Sequence, residues 1–284
     1  MLLLEGLSNF YKIRFLIHKK DDYSKTWRVW NTSLRENYQD GWPDSCCGNN
    51  QSPIELLKKT AEIVHMSRLV YTNYDVPQDV FLENNGHTVK VGFGCKSVSI
   101  CDGILENEYV LDNIHFHWNS EHTLNGKKYP LESHFVHYIK EAENLQNALN
   151  IPFGIAIIAV FYEFSPEGSE IFNKITKNVE CVATNIKEPV PLDEQLVPKE
   201  LLPKRSCNYY AYTGSLTTPD CNEPVQWIIF PKPCKISPCQ LEALKNIYDE
   251  DNKPILRNAR PLQPLNGRIV KYVKESFYGK FKKK

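Results

Sequence analysis

Five of the chain's eight histidines fall inside one stretch, IHFHWNSEHTLNGKKYPLESHFVHY, residues 114–138. They are His115, His117, His122, His134 and His137, with Glu121 and Glu132 between them. Neutral imidazole is the commonest protein metal ligand, and a nearby carboxylate can fix its tautomer. The dipeptide Asn125-Gly126, between two strand-like runs, is the strongest short-range hairpin signal. If it forms a two-residue turn, Leu124 faces Lys127, and counting outward from that pair sets His117 opposite His134. Side chains alternate along strands, so His115, His117, Glu121, Glu132 and His134 share one face, and His122 and His137 take the other. Facing Cβ atoms are roughly 4.5–5.5 Å apart, so His115, His117 and His134 can converge on one point. A trigonal set of imidazoles with an open fourth position suits zinc. Imidazole also binds copper, nickel and iron, so the donors favour zinc without excluding these. The pairing is sensitive to register: one bulge between the strands would exchange the roles of His134 and His137.

The elements that must position these residues are mostly strands. Short β-branched and aromatic runs recur between Gly, Pro, Asn and Asp, among them TVKVGF, EYVLDNIHFHW, ESHFVHYI, YAYTGSL and PVQWIIF. The longest apolar run, IPFGIAIIAVF (151–161), is too short for a bilayer and reads as a buried strand. Helical patterns are fewer. The best are GSEIFNKITKNVECV (168–182) and SPCQLEALKNIYDE (237–250), the second with Ser237 as cap and Pro238 in the first turn. The expected fold class is α+β and strand-dominated, a single domain over residues 26–279. An irregular extension (1–25) precedes it and a basic tail (280–284) follows.

Bulk properties bound the function. The 284 residues are 42% hydrophobic and 24% charged, enough for a sizeable core. Lys+Arg and Asp+Glu both number 34, so the basic excess of a nucleic-acid-binding protein is missing, and the end GKFKKK reads as solvated. No stretch has the length of a membrane span. The start, interrupted by Glu5, Lys12 and Arg14, does not read as a secretory signal, and no lipid-anchor signal is seen. Nine cysteines form no CxxC pair, and the odd count leaves at least one unpaired. No HExxH motif points to a metalloprotease.

The segment SEHTLNGKKYPLESHFV resembles the signature of the α-class carbonic anhydrases. QSPIEL (51–56), NNGHTVKVGF (84–93), IHFHW (114–118), YYAYTGSLTTP (209–219), VQWIIF (225–230) and NARPLQPLNGR (258–268) follow in family order, so the likeness covers essentially residues 30–277. It implies a large, twisted, mostly antiparallel central sheet with a few peripheral helices and a conical cavity. It also implies zinc-dependent, reversible hydration of carbon dioxide to bicarbonate and a proton through a zinc-bound hydroxide, carbonic anhydrases being the standard case of this chemistry.

Position by position, the resemblance makes His115, His117 and His134 the zinc ligands. It makes Thr217 the acceptor of the hydroxide's hydrogen bond and Glu121 the acceptor of the threonine proton. Thr218 falls in the substrate pocket, and His87 becomes the proton shuttle. Val136, Ile157, Leu216 and Trp227 form the apolar wall for carbon dioxide, and Asn113 and Glu132 orient ligand imidazoles. Extracellular members carry cysteines where this chain has Cys46 and Cys221, which implies a bridge, with Cys47 an alternative partner. That bridge and the sequon Asn31-Thr32-Ser33 suggest the secretory pathway. The absent signal suggests the cytoplasm, or a natural N-terminus different from this one. Three departures stand out: Ser133 where the family prefers a small apolar residue, Lys90 where it has Asn or Gln, and WNTSLREN near Trp30 in place of a cavity tyrosine. The competing readings are a non-catalytic carbonic-anhydrase-like binding module and a zinc hydrolase acting on activated esters.

Overall fold

The structure, a computed structural model, describes residues 42–205 and 207–276. The extension 1–25, the tail 280–284, the sequon and the region near Trp30 lie outside the described residues. In chain order the strands are β1 (Glu55–Leu56), β2 (Glu62–Met66), β3 (Leu69–Thr72), β4 (Val80–Asn84), β5 (Val89–Phe93), β6 (Ser99–Asp102) and β7 (Tyr109–Trp118). They continue with β8 (Thr123–Leu124), β9 (Leu131–Ile139), β10 (Ile155–Phe164), β11 (Val190–Pro191), β12 (Asn208–Gly214), β13 (Val225–Ile236) and β14 (Lys271–Glu275). Twelve join one sheet in the order β11-β4-β5-β7-β9-β10-β13-β12-β14-β2, with β6 pairing to β7 and β3 to β6. Only β10–β13 and β14–β2 are parallel within it, so the sheet is mixed and mostly antiparallel, as expected. A short parallel ribbon of β1 and β8 stands apart.

The apolar run at 151–161 becomes most of β10, whose first eight residues are buried. Its alternate side chains feed two cores. Ala156, Ile158 and Val160 join Leu111, Phe116 and Phe230 in one. Ile157 and Ala159 join Val136, Tyr212 and Trp227 in the other. Two helices cover the first core with Phe172, Ile175, Leu241 and Leu244. Pro238–Lys245 has the expected start, with Ser237 and Gln240 forming a reciprocal capping box. It stops before the expected 250, because Tyr248 turns away to bridge Pro254. The run 168–182 is likewise split into Glu170–Thr176 and a 3-10 turn, Val179–Val182. There Thr176 and Asn178 donate side-chain hydrogen bonds to the carbonyls of Phe172 and Lys174, the competition with helix that such residues bring. No described helix is long and apolar enough to cross a membrane.

The hairpin corrects one expectation. Asn125 and Gly126 take left-handed φ of 50° and 79°, and Leu124 pairs with Lys127 as counted. Farther out, however, Asn119 N donates to Pro130 O and Ser120 N to Tyr129 O, and His115, not His117, faces His134. The slip of two residues arises where Glu121 and His122 leave the ladder. An even slip preserves the faces of the strands, so the three histidines still converge. A one-residue shift does occur, between Leu111 and Asn113, but it lies beyond the histidines and leaves His134 in place.

Candidate metal centre

One row of cross-strand neighbours runs Glu83–Lys90–His115–His134–Ala159 through β4, β5, β7, β9 and β10. His117 stands two residues along β7 on the same face. His115, His117 and His134 each offer a ring nitrogen, all within 4.8 Å of one another. The other nitrogen of each ring is held. His115 Nδ1 is 3.0 Å from Asn113 Oδ1, His117 Nδ1 is 2.7 Å from the Asn258 carbonyl, and His134 Nε2 is 2.8 Å from Glu132 Oε1. A carbonyl can only accept, so His117 must donate from Nδ1 and carry its lone pair on Nε2. That Nε2 is buried and has no hydrogen-bond partner. A buried acceptor left in this state is costly, and a cation at the common point of the three rings relieves it. Burial, first of all, lowers the pKa of both His115 and His117, and for His115 the charges of His117, His134 and Lys90 add to it. Neutral imidazole, the ligating form, is therefore favoured.

Behind the ligands lies a second layer. Burial alone would raise the Glu132 carboxyl, but the imidazoles of His122 and His134 hold it well below the usual range. Contrary to the face assigned from the sequence, His122 turns in beneath the site, because Glu121 and His122 have left the ladder. Its Nδ1 lies 2.7 Å from Glu132 Oε1 and its Nε2 2.7 Å from the Tyr212 hydroxyl, which is 2.7 Å from Ser52 Oγ. With Glu132 ionised, His122 donates to it and accepts from Tyr212, and Ser52 donates to Tyr212. The Ser215 amide then donates to Ser52 Oγ. This assigned chain of protons locks Glu132, and through it the ring of His134. His137 does face the other way, as expected, against Tyr74 in the first core.

Glu121 is fully buried and accepts from the Arg260 amide through Oε1 at 2.7 Å. Its Oε2, 3.8 Å from His134 Nδ1, is buried without a hydrogen-bond partner. Arg260 is itself buried, and its guanidinium donates to Gln51 Oε1, Ser52 O and Cys46 O. Burial lowers its pKa to about 10, so it stays charged at neutral pH. Cys46 and Cys221 form a disulfide with Cα atoms 5.0 Å apart, while Cys47 is a free, exposed thiol. The bridge anchors the segment that carries Thr217 and Thr218, which is also tied by Leu216 N to Asn222 O and Cys221 N to Thr218 O.

Val136, Ile157 and Trp227 are buried together, with Leu216 half-buried against them. The Trp227 ring lies 4.9 Å from that of His134, and its indole N–H donates to Ser215 O. Thr217 is buried and Thr218 half-buried. His87 is buried too, and burial, helped by the Lys187 charge, lowers its pKa to about 3. Lys90 is 3.0 Å from Glu83. Ser133 finds a partner behind the site in the Tyr162 hydroxyl, 3.0 Å away.

Sequence reasoning missed Asn258, Arg260, Tyr212 and Ser52 as parts of the site. A signal existed for all four: Asn258 and Arg260 stand in NARPLQPLNGR, Ser52 in QSPIEL and Tyr212 in YYAYTGSLTTP, segments that carry the family resemblance but gave these four residues no role. A family model described as eukaryotic-type carbonic anhydrase matches residues 35–274. Among curated relatives, the chain is 34% identical to Carbonic anhydrase 7 of Mus musculus over 237 residues, which covers 79% of this chain and 88% of the relative. It is 33% identical to Carbonic anhydrase 6 of Homo sapiens over 279 residues, 90% of this chain and 86% of that one. Against Carbonic anhydrase 3 of Sus scrofa the identity is 36% over 239 residues, covering 79% and 89%.

Proposed function

Because this chain belongs to the eukaryotic-type carbonic anhydrase family, we propose that it hydrates carbon dioxide reversibly to bicarbonate and a proton, with zinc held by His115, His117 and His134. The observation that carries the reading is the convergence of three ring nitrogens within 4.8 Å, one of them a buried acceptor with no hydrogen bond. Zinc in such a site makes water a nucleophile near neutral pH, carbonic anhydrases being the standard example.

The chain's own residues supply the rest. Asn113, the Asn258 carbonyl and Glu132 fix the three tautomers, so each ring presents a lone pair inward. Glu121 has its Oε1 engaged by Arg260 and its Oε2 open to the Thr217 hydroxyl proton. With the single Thr217 O–H donated as a hydrogen bond to Glu121, the Thr217 oxygen can only accept, and it orients whatever donates to it. Val136, Ile157, Leu216 and Trp227 form an apolar wall against which an uncharged, linear substrate rests, with Thr218 beside it. His87 carries protons outward only with its ring exposed, where the ordinary histidine pKa of about 6.5 suits exchange with buffer. The Cys46–Cys221 bridge favours an oxidising compartment.

The test is acidification on adding carbon dioxide to the zinc-loaded protein, with a sulfonamide-inhibited sample and the metal-stripped protein as baselines. Acidification no faster than that of the stripped protein overturns the reading.

A further inference from the structure

The sheet face that carries the metal centre also carries a charged pair. Val89 and Val91 fill the first core, so Lys90 between them takes the other face. Its cross-strand neighbours there are the ligand His115 on β7 and Glu83 on β4. Lys90 Nζ lies 3.0 Å from Glu83 Oε2, and the two side chains are 27% and 14% exposed. Of the three metal-facing histidines, His117 and His134 are buried and His115 is half-buried. The centre therefore opens on the side of His115, where the pair stands.

The pair does not cancel at the metal. Glu83 is one strand farther from His115 than Lys90 is. Opposite charges offset each other fully only at points equally distant from both, so the positive sign prevails on the His115 side. The ring registers it: burial first, then the charges of His117, His134 and Lys90, push the His115 pKa down. Asp112, a carboxylate near the same edge, is engaged by the Asn113 amide at 2.8 Å. The two carbon species of the proposed reaction differ in charge. Carbon dioxide has none and bicarbonate carries one negative charge, so a cation beside the opening attracts the second and leaves the first indifferent. Asn or Gln at this position would exert no such force.

We propose that Lys90 sets the ligand preference of the metal centre, favouring small anions such as bicarbonate over uncharged molecules, with Glu83 holding the ammonium beside the opening and moderating its charge. The inference rests on the proposed zinc site and adds what governs its choice of ligand.

The test is equilibrium binding to the full-length, zinc-loaded protein. Dansylamide, a fluorescent arylsulfonamide, reports the metal site, and thiocyanate displaces it. Lys90→Gln should weaken thiocyanate about fivefold, the loss of one favourable charge in a partly wet opening. Lys90→Arg keeps the charge and should stay within about twofold of the unmodified protein. Glu83→Gln should act in the opposite direction and tighten thiocyanate about twofold, because the ammonium loses its counter-charge. A purely structural role for the pair would weaken binding in both Gln variants. Bicarbonate, titrated the same way in closed cells, should follow the same order. An unchanged thiocyanate or bicarbonate Kd in Lys90→Gln, an equal loss in Lys90→Arg, or no tightening in Glu83→Gln overturns the proposal. Unmodified protein that binds no dansylamide overturns the zinc site itself, and this inference with it, so the two failures are told apart.

Discussion

His134 and His137 stand three residues apart on β9, and their fates are opposite. His134 faces the metal side, with Glu132 on one nitrogen and two other imidazoles around the second. His137 faces the first core, where Nε2 meets the Tyr74 hydroxyl at 2.5 Å and Nδ1 lies 3.3 Å from the Ala156 carbonyl. Both are buried. What differs is the company. A carboxylate and a cluster of donors make one histidine a candidate metal ligand, and a phenol and a carbonyl make the other a satisfied polar group in an apolar core. Three residues along a strand is an odd step, so the pleat alone sends them to opposite faces.

The contrast can be tested, starting with the largest effect. His134→Ala, like His115→Ala, should lose zinc and nearly all carbon dioxide hydration, while His137→Ala should keep both. Zinc content by atomic emission, alongside the acidification rate, checks this; metal loss in His137→Ala would erase the distinction. Glu132→Ala should weaken zinc binding by about 10–100-fold, the range known for residues behind the ligands in metal sites including carbonic anhydrase. Competition with a chelator measures it.

His137→Ala should instead lower stability, by roughly 1–3 kcal/mol for a phenol left buried without its partner, read from the urea midpoint. Burial lowers the His137 pKa to about 3, below the unfolded value of about 6.5. The neutral native ring does not take the proton that the unfolded chain does. Native stability should therefore fall as pH drops from 6.5 towards 3, by up to about 1.4 kcal/mol per unit from this residue. His137→Gln should flatten that slope between pH 6.5 and 4.5; an unchanged slope would remove His137 as its source. The smallest effect belongs to His87→Ala. It should keep zinc and slow turnover, with recovery on adding imidazole, and no recovery would remove His87 from proton transfer.

Much of the site is legible in the sequence. The three histidines, the Asn-Gly turn and the face they share follow from residue type and a period of two, and they survive the slip in register because the slip is even. The capped helix at Ser237 is legible for the same reason, its signal lying within four residues. The family likeness supplies the Cys46–Cys221 pair, which are 175 residues apart. His122 is misplaced by the same reasoning because alternation holds only while a strand stays in its ladder, and Glu121 and His122 leave it.

By itself, then, the sequence determined which donors exist and which strand faces they take, since these depend on neighbours a few residues away. Only the tertiary structure decided what holds them. His117 is fixed by Asn258, Glu121 by Arg260, and Arg260 by Gln51, Ser52 and Cys46. Each contact spans well over a hundred residues, and nothing local chooses among the many acceptors available to a buried arginine or a ring N–H. The packing of the sheet and its surrounding segments makes that choice, because a buried polar group must be paired with whatever the fold brings within hydrogen-bond reach.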